Sequence, residues 1–160
     1  MTLAPARARA VCRAASTAEE LEVHHRIRHQ VFVFEQGLFD GSDVDSHDAA
    51  PDVVHVLGVW DGQVAGTVRL FPIDAGDGLW QGDRLAVLPG FRLGLGAPLV
   101  RFAVATAAEH GGREMVAHIQ LPNVAFFERI GWHTYGEVET YVGVVHQPMA
   151  IDLEPFRPGS

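Results

Sequence analysis

Between Arg84 and Val100 the chain reads Arg-Leu-Ala-Val-Leu-Pro-Gly-Phe-Arg-Leu-Gly-Leu-Gly-Ala-Pro-Leu-Val. A β-rich run empties into Gly94-Leu95-Gly96, and a helical run follows. Glycines at such a junction let the backbone approach an anion closely. The unpaired N–H groups and positive dipole end of the helix then favour phosphate. Arg92 adds a positive charge, and Pro98 suits a first helical turn, where its missing N–H costs nothing. The same residues also fit an ordinary βα turn whose glycines serve close packing. A dinucleotide-binding turn is a poorer match, because the third glycine is missing and no acidic residue ends the next strand.

Other groups with chemical potential are spread along the chain. Asp43, Asp45 and Asp48 fall on one loop and need partners. Arg28 and Arg69 can supply bidentate, charge-assisted ones. That set reads equally as a structural network or as a frame for an acceptor site. His118 and His146 lie on strand-like runs, and imidazole is the side chain suited to proton transfer near neutral pH. Strand histidines also serve as plain hydrogen-bonded residues. Tyr135 and Tyr141 read as half-buried strand aromatics or as proton donors. Cys12 sits in a short apolar stretch with no paired base, so it reads as a strand residue and not a nucleophile. No two histidines have ligand spacing on a shared face with carboxylates beside them. His24 and His25 diverge on a helix, so no metal is expected.

These groups must be positioned by a small set of elements. Residues 9–14 look like a first strand. Ser16 or Thr17 caps a helix, with Glu19 or Glu20 completing a capping box, and an apolar stripe through Leu21, Ile27, Val31 and Phe34 carries it to about Glu35. Gly37 ends it, and 38–52 reads as an ordered loop. Val53–Trp60, Asp61-Gly62 and Val64–Phe71 spell a β-hairpin. Residues 73–83 read as a glycine-rich loop and 84–88 as a short strand. The glycine loop then spans 90–96, with a helix from Ala97 to His110. A strand at 115–120, a short helix at 122–130 and strands at 138–145 and 146–153 complete the chain. Such an order predicts an α/β (α+β) layer with a mixed, mostly antiparallel sheet flanked by helices. The strands at 84–88 and 115–120 should run parallel, as the two ends of a βαβ crossover.

Composition bounds the rest. A chain of 160 residues with 48% apolar and 20% charged residues suits one globular domain. We place that domain at residues 9–154, between tails at 1–8 and 155–160. No apolar run approaches the ~20 residues of a membrane span, and the first residues lack the apolar stretch of a secretory signal. One cysteine permits no internal disulfide, which makes the cytoplasm the default location. A net charge of −8 argues against nucleic acid as a partner.

Leu85-Ala86-Val87, the Pro89 turn, Arg92–Ala97 and the downstream Asn123 with Phe126-Phe127-Glu128-Arg129-Ile130-Gly131-Trp132 resemble the two signature segments of the GNAT acetyltransferases. The resemblance covers about residues 11–153. It implies a GNAT fold with a six- to seven-stranded sheet, a β-bulge and two splayed central strands. It further implies acetyl-CoA as co-substrate. Its pantetheine arm would lie against Leu85, Ala86 and Val87, and its pyrophosphate against Arg92, Leu93, Gly94, Leu95, Gly96 and Ala97, with Asn123 and Phe127 alongside. Two departures stand out: Phe91 takes the place of the usual Arg/Gln or the loop is one residue short, and Phe127 takes the place of a frequent acidic tyrosine. Acyl transfer to an amine needs a base and an acid for the leaving thiolate. His118, at a spacing where relatives carry a glutamate, is the candidate base, with His146 as the other option and Tyr141 as the candidate acid.

The N-terminal half is similar to the GNAT branch that contains the acyl-homoserine-lactone synthases. The matching residues are Arg28, Phe32 and Glu35, the run Asp43, Asp45, Asp48, and Gly66-Thr67-Val68-Arg69. In that branch these positions shape the acceptor side, so Arg28, Phe32, Glu35, Asp45, Asp48 and Arg69 are candidate substrate-binding residues. The branch tryptophan expected before the acidic run is absent, and Phe39 stands nearest. The resemblance implies an N-acetyltransferase for a small amine metabolite, in a family whose members are commonly homodimers. The alternatives are a synthase using S-adenosylmethionine and a catalytically silent CoA-binding module.

Overall fold

A computed structural model describes residues 9–159. The expected tail at 1–8 therefore lies outside the described residues. At the other end, Glu154–Phe156 form a single 3-10 turn.

The first strand, β1, is Ala10–Ala14, and α1 is Ala18–Arg28. Thr17 caps α1 by accepting from the Glu20 N–H at 3.1 Å. The Glu20 carboxylate reaches back one residue further than a standard capping box, to the Ser16 N–H and hydroxyl. The helix expected to run to Glu35 changes character at His29, where a π-helical segment, His29–Glu35, takes over. Such wide turns are rare and favour functional sites, and this one carries Phe32 and leads into Gln36. Gly37, at φ +58°, ends the segment.

Strands β2 (Val54–Trp60) and β3 (Gln63–Asp74) form the expected hairpin. Both turn residues, Asp61 and Gly62, are left-handed (φ 47° and 83°), as a tight hairpin turn with the right twist requires. The interior of β2 is buried continuously from His55 to Val59. That pattern marks a strand covered on both faces.

Residues 73–83 are not a glycine-rich loop. Strand β3 runs on to Asp74, only 75–78 turn, and β4 spans Leu79–Val87. The glycines misled because Gly82 lies in a strand where a close neighbour, the Met115 sulfur, leaves little room for a side chain. The next element, α2, runs from Arg92 to Glu109. It starts five residues before the expected Ala97, so Gly94 and Gly96 lie within its opening turns and Pro98 is inside the helix. Packing overrides glycine's weak propensity here: Leu95 and Leu99 are fully buried and pin that end to the sheet. Gly94 has its own reason, since a Cβ there would sit 2.3 Å from the Trp60 ring.

The chain ends with β5 (Glu114–Gln120), a 3-10 turn at Leu121–Asn123, α3 (Val124–Arg129), β6 (His133–Thr134), β7 (Glu139–Tyr141) and β8 (Val144–Asp152). The sheet has eight strands, in the order β1-β2-β3-β4-β5-β8-β6 with β7 also on β8. The extra strand over expectation is the two-residue β6. All pairings are antiparallel except β4 with β5, which is parallel. The main core joins α2 to one face of the sheet. A smaller cluster around Ile27, Val31, Phe32 and Ala86 joins α1 and the π segment to the other.

Candidate functional site

The parallel pairing of β4 with β5 covers only Leu79–Gln81 against Glu114–Val116. Beyond it β4 stays on β3 while β5 leaves with β8, and the two strands part. A β-bulge marks the place. Opposite Thr67 and Arg69 of β3, β4 presents Ala86 and Asp83, one residue more than a regular ladder holds. Arg84 absorbs the extra residue at φ +52°, and the Thr67 hydroxyl donates to its carbonyl at 2.9 Å.

A cleft fills the gap, with about 940 Å³ of non-atom space counting its open mouth. Its walls come from both strands and from both helical layers: Phe32 and Phe39 on the α1 side, Val100 and Ala103 on the α2 side. Leu85, Asn123 and Phe127, expected to contact cofactor, line it. Ala86 and Val87 sit behind it, buried and paired with β3. Trp132 is also on the wall, and its buried indole N–H finds no acceptor among the described residues. Such a donor costs roughly 1–3 kcal/mol when left unmatched.

The three candidate catalytic residues meet at this cleft. On β5 the core face carries Met115, Ala117 and Ile119, so His118 and Gln120 face the α1 side. Register then brings in the neighbours: Gln120 opposes His146, and His146 opposes Glu139. Tyr141, two residues from Glu139, shares that face. The Tyr141 ring stacks on His118, with centroids 5.5 Å apart and planes at 12°, and meets His146 edge-on, also at 5.5 Å. Nδ1 of His146 donates to the Val144 carbonyl at 2.8 Å in the tautomer that leaves Nε2 as an acceptor. Glu139 sets a carboxylate oxygen against Nδ1 of His118, close but without hydrogen-bond alignment. Sequence reasoning passed over Glu139, although the two-residue alternation with Tyr141 was available to find it.

The first turn of α2 opens beside the cleft. Phe91 provides no side-chain cap. Its carbonyl takes the Gly94 and Leu95 N–H groups at 3.1 and 3.2 Å. The Arg92 and Leu93 N–H groups have no backbone partner among the described residues, which leaves two donors at a positive dipole end. Within the expected 92–97 cradle, the Gly94 and Leu95 amides are therefore taken up by the helix, and the amides at its start, of Arg92 and Leu93, are the ones left over. Arg92 does not project freely. Its guanidinium makes two contacts with Glu35, at 2.7 and 2.8 Å, and a third with the Val87 carbonyl. Glu35, expected on the acceptor side, is therefore held at the start of α2.

The other candidate substrate residues, Phe32 apart, sit in a buried ion network. Arg28 is fully buried, with Nε on Asp43 at 2.7 Å and both terminal nitrogens on Asp48 at 2.7 and 3.0 Å. Arg69, equally buried, forks onto Asp83 at 2.8 and 2.7 Å and onto Asp45 at 2.6 and 3.1 Å. Arg84 closes the set through Asp45 at 3.2 Å and the Asp43 carbonyl at 2.9 Å, and lies over the Phe39 ring. For Asp48, burial works against ionisation, but the His55 and Arg28 hydrogen bonds outweigh it and hold the carboxyl far below its usual range. Burial likewise opposes charge on Asp45, and Arg69 reverses it. Arg28, Asp45, Asp48 and Arg69 thus spend their polar atoms within the network and on His55. The network stands behind the cleft, which it reaches through Asp83 and Arg84, neither of them anticipated.

The model of the acetyltransferase (GNAT) family matches residues 18–132. A candidate acetyltransferase of Bacillus subtilis (strain 168) is 27% identical over 133 residues, covering 82% of this chain and 88% of its own length. An acyl-CoA N-acyltransferase from Pseudomonas aeruginosa superposes with a TM-score of 0.74 at 26% identity, covering 89% and 98% of the two chains. The acyl-homoserine-lactone synthase LasI shares the fold, with a TM-score of 0.71 at 18% identity over 91% and 90%. No helix among the described residues is long and apolar enough to cross a membrane. With a bulged β4, a parallel neighbour that splays from it, an uncapped helix start beside the gap and a family match over most of its length, the chain belongs to the GNAT acetyltransferase family.

Proposed function

We propose that this protein transfers an acetyl group from acetyl-CoA to the amine of a small metabolite by direct attack. The observation that carries this reading is the parting of β4 and β5 after Gln81 and Val116, which opens a cleft onto His118, Tyr141 and His146. The pantetheine arm enters the gap along Gly82–Leu85, and the pyrophosphate takes the Arg92 and Leu93 amides. His118, its ring held by Tyr141 and flanked by Glu139, accepts the ammonium proton so that a neutral amine attacks the thioester carbonyl. The C–N bond forms, the C–S bond breaks, and Tyr141 protonates the departing thiolate. His146 Nε2 lies on the same face and orients the acceptor. A small acceptor suits a cleft walled by both helical layers, the chain's net charge of −8 disfavours nucleic acid, and the cytoplasm is the proposed location. A homodimer is proposed on family grounds alone.

The test is thiol release from acetyl-CoA with a panel of small amines. Turnover with at least one amine, abolished in His118→Ala while acetyl-CoA still raises the melting temperature, supports the reading. Absence of any acetyl-CoA effect at millimolar concentration refutes it. A thermal shift with S-adenosylmethionine but not CoA would transfer the chain to the synthase reading.

A further inference from the structure

On the α1 face, away from the walls of the cleft, three histidines converge. His24 and His55 have ring centroids 4.8 Å apart, His25 and His55 5.8 Å, and His24 and His25 6.2 Å. Asp48 joins them, accepting from or sharing a proton with Nε2 of His55 at 2.9 Å. His25, Asp48 and His55 each place a ligand-capable atom within 4.8 Å of the other two. Sequence spacing did not suggest this set, because its members come from α1, from the 3-10 turn at Ser46–Ala49 and from β2.

Two independent observations mark this cluster as able to hold a cation. First, Nδ1 of His24 and Nδ1 of His25 are buried without any hydrogen-bond partner, and His24 is itself fully buried. Nε2 of His24 meets the Val68 carbonyl at 3.1 Å, and Nδ1 of His25 is a nitrogen of the cluster itself that no group among the described residues satisfies. Second, the adjoining network is short of positive charge. Four carboxylates (Asp43, Asp45, Asp48, Asp83) face three guanidiniums (Arg28, Arg69, Arg84), a net of −1. A surface hollow lined by Glu22, His25 and His29 gives an approach from solvent.

We propose that His25, Asp48 and His55 form a structural site for a divalent transition-metal ion of the zinc type. Two imidazole nitrogens and one carboxylate oxygen suit zinc and its neighbours, whereas calcium and magnesium require mostly oxygen donors. Oδ1 of Asp48 accepts from Arg28 at 2.7 Å, and its second lone pair, which meets Nε2 of His55 at 2.9 Å, is the one the ion takes over. The ion replaces the proton between His55 and Asp48. That proton moves to Nδ1 of the same ring or, from a doubly protonated ring, to solvent. Water entering through the hollow completes the tetrahedron. Held so, the ion ties α1, the acidic turn and β2 together behind the acyl-transfer cleft without entering the chemistry.

The test uses the full chain, stripped with a chelator and dialysed against zinc. One zinc per chain and a chelator-reversible rise in melting temperature are expected. His25→Gln and His55→Gln should each weaken binding about tenfold or more, while His133→Gln, exposed on β6, should not. Cobalt in place of zinc should give the visible absorption of a tetrahedral site, lost in His25→Gln. Less than stoichiometric zinc in the wild-type protein overturns the proposal. So does undiminished affinity in His25→Gln, with an unchanged circular dichroism spectrum showing that the variant is folded. Acyl transfer is measured separately, so failure of the metal site leaves the cleft reading intact, and the reverse.

Discussion

His118→Ala removes the proposed base, and turnover with acetyl-CoA at saturating amine should fall by roughly 10²–10⁴-fold, with little change in acetyl-CoA affinity. Glu139→Gln keeps the shape beside the ring but removes its charge. A smaller loss in kcat is expected, with KM for acetyl-CoA unchanged, because Glu139 acts through His118 and not on the cofactor. The buried His24 makes a separate prediction for stability. Its folded value is depressed to about 3 from an ordinary 6.5. The unfolded chain therefore gains a proton below pH 6.5 that the folded chain refuses. Stability present above that pH is lost progressively down to about pH 3, by roughly 1 kcal/mol per pH unit. Urea midpoints measured from pH 7 to pH 4 should fall steadily, and a flat profile would contradict the burial assigned to this ring. At this scale much was legible. His118, Tyr141 and His146 were singled out from residue type together with the family resemblance, and all three line the cleft. Glu139 and Arg84 were not, since one needed the register of β7 on β8 and the other a bulge that no local pattern announces.

Among the elements, the start of α2 carries the most weight. Gly94→Ala places a methyl within 2.3 Å of the Trp60 ring, and overpacking of that kind costs about 1–3 kcal/mol. A lowered melting temperature with weaker CoA binding is expected, because the displaced turn also aims the Arg92 and Leu93 amides. Glu35→Gln should act in the opposite sense on binding. It releases the Arg92 guanidinium from its carboxylate, and CoA affinity should rise by a few-fold at low salt, with the gain fading as salt screens the charge. A drop in affinity would mean that the ion pair itself shapes the pyrophosphate site. The hairpin at Asp61-Gly62 was legible because two left-handed residues leave a compositional mark. The helix start was not, because Leu95 and Leu99 draw it forward through glycines that local propensity reads as loop.

At the scale of the whole molecule, the buried arginines hold the acidic loop, β3 and β4 in one block behind the gap. Arg69→Met takes from Asp83 its close guanidinium partner and leaves Asp45 only Arg84, and the loss should be about 3 kcal/mol, read as a reduced denaturation midpoint. The sequence suggested the partners but left open whether they serve an acceptor. Only the fold reveals that the guanidiniums are saturated from within. The two-sided sheet, the crossover and the family signatures were plain in the order of elements. The splay could be anticipated only from the family resemblance, since it depends on β5 leaving β4 for β8, a choice made between segments far apart in the chain.

Everything functional rests on that splay receiving a thiol-bearing arm. The most direct measurement is a crystal structure of the protein with CoA. The account predicts the pyrophosphate within about 3 Å of the Arg92 and Leu93 amides and the sulfur between Leu85 and His118, in the gap past Gln81 and Val116. CoA bound elsewhere with the gap unfilled, or no CoA at millimolar concentration, would contradict it.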